Sequence, residues 1–258
     1  MSEINIVERK IYLLAQSKPV TRGAGPDMGS AQEEHIKKDV WTEQDTFPTQ
    51  ANVMEFAGRL CYDAFGRKRE ETREIRDYLG NIMDQVHLSV LEHSSFTFLL
   101  KNVSRAATHE IVRHRHLSFS QESQRFVHGR KRDVVVPEKM RLEGDHFEGF
   151  EREHLAMAFD ANEQMYKDLR ESGYTHKEAA EAARSLLPNA AATHIVVTGN
   201  ARSWKEFIEK RIAPGADAEL QAISREILEH LENVLPEVFD EEARSHWDGE
   251  EVQHGTKH

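Results

Sequence analysis

The sequence predicts an α/β (α+β) fold, a single domain in which helices flank a central mixed or antiparallel sheet. Three observations predict it. Short stretches with period-two alternation or high β-propensity, chiefly Ile4 to Ala15, Leu91 to Leu100 and Phe126 to Val136, read as strands. Longer stretches with apolar residues three and four apart read as helices between and after them. Repeats, low-complexity blocks and a clear linker are absent, and 258 residues suffice for one large core that buries roughly three quarters of the unfolded surface.

Taken in order, Ile4 to Ala15 opens the chain as a strand, and Ser17 to Ser30, with Pro19, Gly23, Gly25, Pro26 and Gly29, reads as a loop. Gly23-Ala24-Gly25 opens no helix and precedes no Lys-Ser/Thr pair, so it lacks the makings of a phosphate cradle. Thr49 to Tyr62 is predicted helical, with Val53, Phe56, Ala57, Leu60 and Cys61 facing inward. Such burial makes Cys61 an inert thiol. Arg67 to Val86 is a second helix with the stripe Ile75, Tyr78, Leu79, Ile82 and Val86, and Arg67 to Glu71 form a solvated face. In the strand from Leu91, Phe96, Phe98 and Leu100 alternate with Ser95, Thr97 and Leu99.

Ser104 is a natural N-cap for a helix with Ala107 and Ile111 on one face and Glu110, Arg113 and His114 on another. That helix is expected to run out near Leu117, with Ser118 to Ser123 as a polar loop. The strand ending at Pro137 carries the basic cluster Arg130-Lys131-Arg132. Phe147 to Arg170 follows as a helix striped by Phe150, His154, Ala158, Ala161, Met165 and Leu169. Thr175 to Leu187 is an alanine-rich helix stopped by Pro188, with Ala180, Ala183, Arg184 and Leu187 on one face. Thr193 to Asn200 suits a strand or a short helix. Ser203 and Glu206 have capping-box spacing ahead of the stripe Trp204, Phe207, Ile208 and Arg211. Ala218 to Leu235 is amphipathic. Phe239 to His258 is an acidic tail expected to be largely disordered, leaving residues 1–238 as the domain.

The formal net charge is −11. Residues 101–132 hold eight Lys or Arg against Glu110 and Glu122, a local charge of +6, so the remainder carries −17. A basic site in an acidic protein fits a small anionic substrate better than nucleic acid or an acidic membrane. One cysteine excludes a disulfide framework and points to a reducing compartment. No apolar run approaches the length of a membrane span, so a cytoplasmic protein is expected.

The densest chemistry lies in Arg113-His114-Arg115-His116-Leu117-Ser118-Phe119-Ser120-Gln121-Glu122-Ser123-Gln124-Arg125-Phe126. Its arginines offer planar forks suited to phosphate, and its hydroxyls and amides offer neutral donors. An apolar core would not accept this density of charge without an anion to neutralise it. Arg184 and Arg211, each a cation in a row of apolar neighbours, stand out in the same way, although helix-end cations do so too.

Arg113-His114-Arg115, seven residues and then Ser123, continued by Gln124-Arg125-Phe126, resembles the signature of the flavin-dependent thymidylate synthases (ThyX family). Glu92-His93 with Phe96-Thr97-Phe98, and Ala183-Arg184 with Leu187-Pro188, are similar to further elements of that family in the same order. The resemblance implies an α/β fold of the family's own, not a Rossmann domain, and indeed no Gly-x-Gly-x-x-Gly follows a strand. It implies reductive methylation of dUMP to dTMP, with 5,10-methylenetetrahydrofolate as carbon donor, FAD as cofactor and NADPH as reductant. It also implies a homotetramer with active sites shared between subunits.

Residue by residue, the resemblance places Glu110, Arg113, Gln121, Glu122, Ser123, Gln124, Arg125, Arg184 and Arg211 at dUMP. Ser123, Arg125 and Arg184 would hold the phosphate, with Gln121 and the backbone N–H groups of Glu122 to Gln124 completing the cradle. It places His93, Ser95, Arg113, His114, Arg115, Gln121, Asn200, Arg202 and Glu206 at FAD, and His93 near folate as well. Phe126 stands where tyrosine is frequent, and Glu206 where many relatives have another polar residue. No cysteine signature of the thiol-dependent thymidylate synthases is present, so activation of C5 has to come from elsewhere. A desolvated arginine at N3 or O4 of the uracil can supply it, and Arg211 is the candidate catalytic residue.

Two other readings compete. A metal-dependent hydrolase could use His114 and His116 with His109, His93 or His128, although no carboxylate-rich ligand set accompanies them. An RNA-binding module could use the basic segment, although aromatic side chains for stacking are sparse there. The expectation is therefore no metal, no nucleic acid and no membrane partner.

Overall fold

The computed structural model describes residues 3–19, 49–62, 70–126, 132–137 and 150–247. Its strands are β1 (Asn5–Ile6), β2 (Lys10–Gln16), β3 (Ser95–Ser104), β4 (Ser118–Gln121), β5 (Asp133–Val134) and β6 (Ala192–Asn200). The main sheet has the order β2-β3-β6-β4, and β1 pairs in parallel with β5. Helices are α1 (Gln50–Cys61), α2 (Ile75–Asp84), α3 (Arg105–Ile111), α4 (Phe150–Glu171), α5 (His176–Ala183), α6 (Ala201–Ile212), α7 (Ala218–Val234), α8 (Pro236–Phe239) and α9 (Glu241–Arg244). The α/β class and its sheet with accompanying helices agree with the sequence.

The chain divides into two compact units, each discontinuous in sequence. One comprises Met1–Tyr12, Phe98–Thr198 and Lys210–Ser224; the other comprises Leu13–Thr97, Gly199–Glu209 and Arg225–His258. In the first unit, Ile4, Val134, Val136, Ala156, Phe159 and Ala191 form a core, with Leu155, Leu187 and Ala190 packed against it. β4 runs antiparallel to β6, with Ser118 opposite Thr198 and Gln121 opposite Ile195. Near the end of β3, Asn102 adopts a left-handed φ of 56°. Its N–H donates to His194 Nδ1 at 3.2 Å and its side-chain amide to the Glu8 carbonyl at 2.8 Å. Two residues later Ser104 both closes β3 and caps α3, its Oγ accepting the Ala107 N–H at 2.9 Å. The Ser104 N–H itself donates to the buried Glu219 carboxylate at 2.8 Å.

In the second unit, Phe96 and Trp204 are fully buried, and Trp204 Nε1 donates to the Phe96 carbonyl at 3.3 Å. Glu55 and Arg59 form a buried pair at 2.7 Å, and the Arg59 guanidinium lies 4.5 Å from the centroid of the Tyr78 ring. Asn200 closes β6 and caps α6 with no residue between, its Oδ1 accepting the Ser203 N–H at 2.8 Å.

Several expectations are corrected. Helix α1 buries Ala51, Met54, Glu55, Gly58 and Arg59, the side opposite to the one predicted, and Leu60 and Cys61 are exposed. The ion pair explains the inversion, because Glu55 and Arg59 neutralise each other and Gly58 leaves room for Tyr78. In α4 the buried line is Ala156, Phe159 and Asn162, not the line through His154, Ala158 and Ala161. Asn162 is accepted there because its amide donates to the Ala183 carbonyl at 2.6 Å. Helix α3 ends at Ile111, well short of Leu117, and Ser118 to Gln121 is a strand where a polar loop was expected, because pairing with β6 outweighs side-chain polarity. Residues 192–200 are a strand, resolving that ambiguity. Helix α6 starts before Ser203, so Asn200 is its cap and Ser203 lies in its first turn.

Arg184 is exposed and forms the C-cap of α5, the helix-end position that also accounts for a cation in an apolar row. Residues 240–247, which the sequence places in a largely disordered tail, are ordered. Phe239 is fully buried edge-on to Phe96, Trp247 Nε1 donates to the Val238 carbonyl at 2.8 Å, and Arg76 pairs with Asp240 at 2.7 Å. The acidic composition of this stretch concealed aromatic anchors and a cationic partner. The readings for Gly23 to Gly25, the loop beyond Pro19, His128, Arg130, Lys131 and residues 248–258 lie outside the described residues.

Candidate functional site

In the first unit, α3 and the last turn of α6 bring Glu110, Arg113, His114 and Arg211 together. Arg211 Nε donates to His114 Nε2 at 3.0 Å, Nη2 donates to the Glu110 carbonyl at 3.3 Å, and Nη1 lies 3.1 Å from the Glu110 carboxylate. Its side chain is only 19 % exposed. Arg113 Nη1 donates to both oxygens of the same carboxylate at 3.0 Å while remaining 70 % exposed. The Arg113 hydrogen bonds first, and then the nearby charges of Arg113 and Arg211, hold the Glu110 carboxyl below its ordinary value. The arrangement fixes one guanidinium from three directions in a partly desolvated place, which suits stabilisation of negative charge on a planar ring. Arg115 is exposed.

A second cluster in the same unit gathers arginines. Arg105 Nη2 donates to the Glu122 carbonyl at 2.7 Å, and Arg125 Nη2 lies 2.7 Å from Glu181 Oε2. Burial first, and then the like charge of Arg184, hold the Arg105 guanidinium below its ordinary value, with Glu122 opposing. Both Arg105 Nε and Arg125 Nε are buried without a hydrogen-bond partner among the described atoms. Such orphaned cationic donors suit a polyanionic ligand. The Gln121 amide donates to Thr108 Oγ1 at 2.9 Å, and the Arg125 N–H to Ser123 Oγ at 3.3 Å. The Glu122 N–H is committed to the His194 carbonyl at 3.0 Å, so this donor of the expected cradle belongs to the sheet edge instead.

The second unit holds His93, Ser95, Asn200, Arg202 and Glu206. Arg202 Nη1 donates to Glu92 at 2.7 Å and its Nε lies 3.4 Å from Glu206. His93 is exposed at the end of the 3-10 turn Leu88–His93, while the neighbouring Ser94 Oγ is buried without a hydrogen-bond partner among the described atoms. Asn200 Oδ1 is taken by the α6 cap, leaving its amide N–H groups for a ligand. A guanidinium, an imidazole and hydroxyls, one of them orphaned, form a donor set that fits the diphosphate and polar ring edge of FAD. Among the described residues, no group of three or more His, Cys, Asp or Glu is placed to hold a metal ion.

Sequence reasoning missed Arg105, Glu181, Glu92 and Glu219. Arg105 carried a signal, since a cation opening a helix opposes the dipole and calls for a carbonyl or an anion. Glu181 carried none and Glu92 stood out only beside His93 in the family resemblance, because their arginine partners are remote in sequence.

The family model described as thymidylate synthase complementing protein matches residues 44–237. A flavin-dependent thymidylate synthase of Corynebacterium efficiens is 40 % identical over 198 residues, covering 72 % of this chain and 77 % of its own. That of Mycobacterium tuberculosis is 41 % identical over 212 residues, covering 78 % and 83 %. Among solved structures, a UMP/dUMP methylase, PolB, of Streptomyces cacaoi bound with 5-Br UMP superposes with a TM-score of 0.64 at 19 % identity, covering 95 % of this chain and 98 % of that one. Thymidylate Synthase X of Helicobacter pylori with FAD and dUMP gives 0.57 at 21 % identity, covering 75 % and 95 %.

Proposed function

The chain belongs to the flavin-dependent thymidylate synthase family, and from that premise we propose that it converts dUMP to dTMP by reductive methylation at C5. Methylenetetrahydrofolate is the carbon donor in this reading and NADPH the reductant. FAD, when bound, supplies the hydride.

The observation that carries the reading is the three-way anchoring of Arg211 by His114 and both the carbonyl and carboxylate of Glu110. Without an enzyme thiol adding to the pyrimidine, C5 is nucleophilic enough to attack the carbon donor only if the ring carries enolate-type charge shared with N3 and O4, and that charge has to be stabilised. A guanidinium already held in position does this without reorganising at the moment of reaction. Ser123, Arg125 and Arg184 grip the phosphate, and Glu110, Arg113, Gln121, Glu122 and Gln124 line the nucleotide. Arg113, His114, Arg115 and Gln121, with His93, Ser95, Asn200, Arg202 and Glu206, would hold FAD. The active protein in this proposal is a cytoplasmic homotetramer whose subunits share active sites, and it needs neither nucleic acid nor membrane. Among the described residues no helix is long and apolar enough to cross a membrane.

The test is spectroscopic. NADPH should bleach the visible absorbance of the FAD-loaded protein under anaerobic conditions. The absorbance should return, with dTMP formed, only when dUMP and methylenetetrahydrofolate are both added. A protein that retains no FAD and makes no dTMP would overturn the reading.

A further inference from the structure

Arg125, which the proposed reading assigns to the phosphate of dUMP, is engaged by an anion of the chain itself. Its Nη2 lies 2.7 Å from Glu181 Oε2, and the two side chains are 35 % and 48 % exposed. Glu181 sits on α5 one turn before Arg184, whose charge acts on Arg105. The carboxylate thus stands beside a corner of the first unit where guanidinium groups accumulate, two of them with buried, unpartnered Nε–H groups. Like charges so placed repel one another, and one carboxylate relieves part of that repulsion.

We propose that Glu181 is an internal competitor of the substrate phosphate for Arg125, and so sets the affinity and anion selectivity of the nucleotide site. The inference rests on the assignment of Arg125 to the dUMP phosphate. An ion pair this open to water is weak. A phosphate dianion brings more charge and three acceptor oxygens, so it displaces the carboxylate, which can rotate into solvent without unwinding α5. A monoanion brings no more charge than Glu181 already supplies and gains little. The residue thereby trades some affinity for discrimination against the small monoanions that would otherwise occupy the arginines.

Calorimetric titration of the FAD-loaded protein tests this. Glu181→Gln and Glu181→Ala should each bind dUMP on the order of threefold to tenfold more tightly than the parent. They should bind deoxyuridine, which has no phosphate, with unchanged affinity, and chloride should compete with dUMP more strongly than in the parent. Unchanged or weaker dUMP binding by folded variants overturns the inference while leaving the substrate assignment intact. Failure of the parent protein itself to bind dUMP overturns the assignment, and the inference with it.

Discussion

Arg211 owes its orientation to groups on a different element from the helix that carries it. Nε, Nη1 and Nη2 each have a partner contributed by Glu110 or His114, roughly a hundred residues earlier in the chain. Replacement by lysine keeps a charge but loses the planar fork. Arg211→Lys should therefore lower kcat by on the order of a hundredfold, and Arg211→Ala by more, with a smaller change in the Kd for dUMP. Stopped-flow reoxidation of the FAD-loaded enzyme with both substrates reads the first quantity and calorimetry the second. A kcat within a factor of two of the parent for Arg211→Lys would remove Arg211 from the chemistry. The cation was legible in the sequence as an intruder in an apolar row, and so was the i, i+3 pairing of Glu110 with Arg113. That one carboxylate serves both arginines was not legible, because periodicity carries no information on contacts so distant in sequence.

At the scale of elements, buried ionic groups decided where the sequence misled. Helix α1 presents its charged pair inward and some of its apolar residues outward, and this works only because Gly58 admits Tyr78. A Cβ there would sit 2.2 Å from Tyr78 Oη and 3.2 Å from Cζ. Gly58→Ala should cost about 1–3 kcal/mol of stability in urea titration, despite the gain in helix propensity. Tyr78→Phe in the same chain should restore part of the loss by removing the clashing oxygen. An additive double mutant would contradict that account.

Glu219 acts on α3 in a similar way. Burial lifts its carboxyl above the ordinary value, with the Ser104 hydrogen bonds opposing. The folded chain therefore holds this proton more tightly than the unfolded chain does. That contribution is complete below the ordinary carboxyl value and is lost as the pH rises through the lifted one. Between those values the stability of the parent should fall, and Glu219→Gln, which has nothing to titrate there, should flatten that part of the profile. Identical slopes in both proteins would refute the assignment. Alternation in β3 was plain in the sequence, whereas β6 suits either strand or helix there, and α3's early end and β4's existence required the partner strand.

Along the whole chain, acidic stretches flank one basic segment in sequence, and this imbalance was readable from the charges alone. The order of the chain beyond Phe239 was not, because an acidic composition says nothing about the few residues that anchor it. Trp247 packs edge-on to Phe239 at 5.9 Å, donates to Val238, and offers its carbonyl to Lys205 at 3.2 Å. Trp247→Ala should lower stability by about 2–3 kcal/mol, measured by thermal melting of the FAD-free protein so that ligand linkage does not mask it. No change in melting temperature would mean that the segment hangs on without contributing.

The joints at Ser104 and Asn200 have a consequence for descent. Each residue ends a strand and begins a helix with nothing between. One inserted residue would turn the following helix by roughly 100°. At the first joint that would carry Glu110 and Arg113 away from Arg211, and at the second it would swing Arg202 off Glu92. Related chains can exchange side chains at these two points, but they cannot change the number of residues there. Alignment gaps should therefore accumulate elsewhere, and a related chain with an insertion at either joint is one in which the chemistry has been lost.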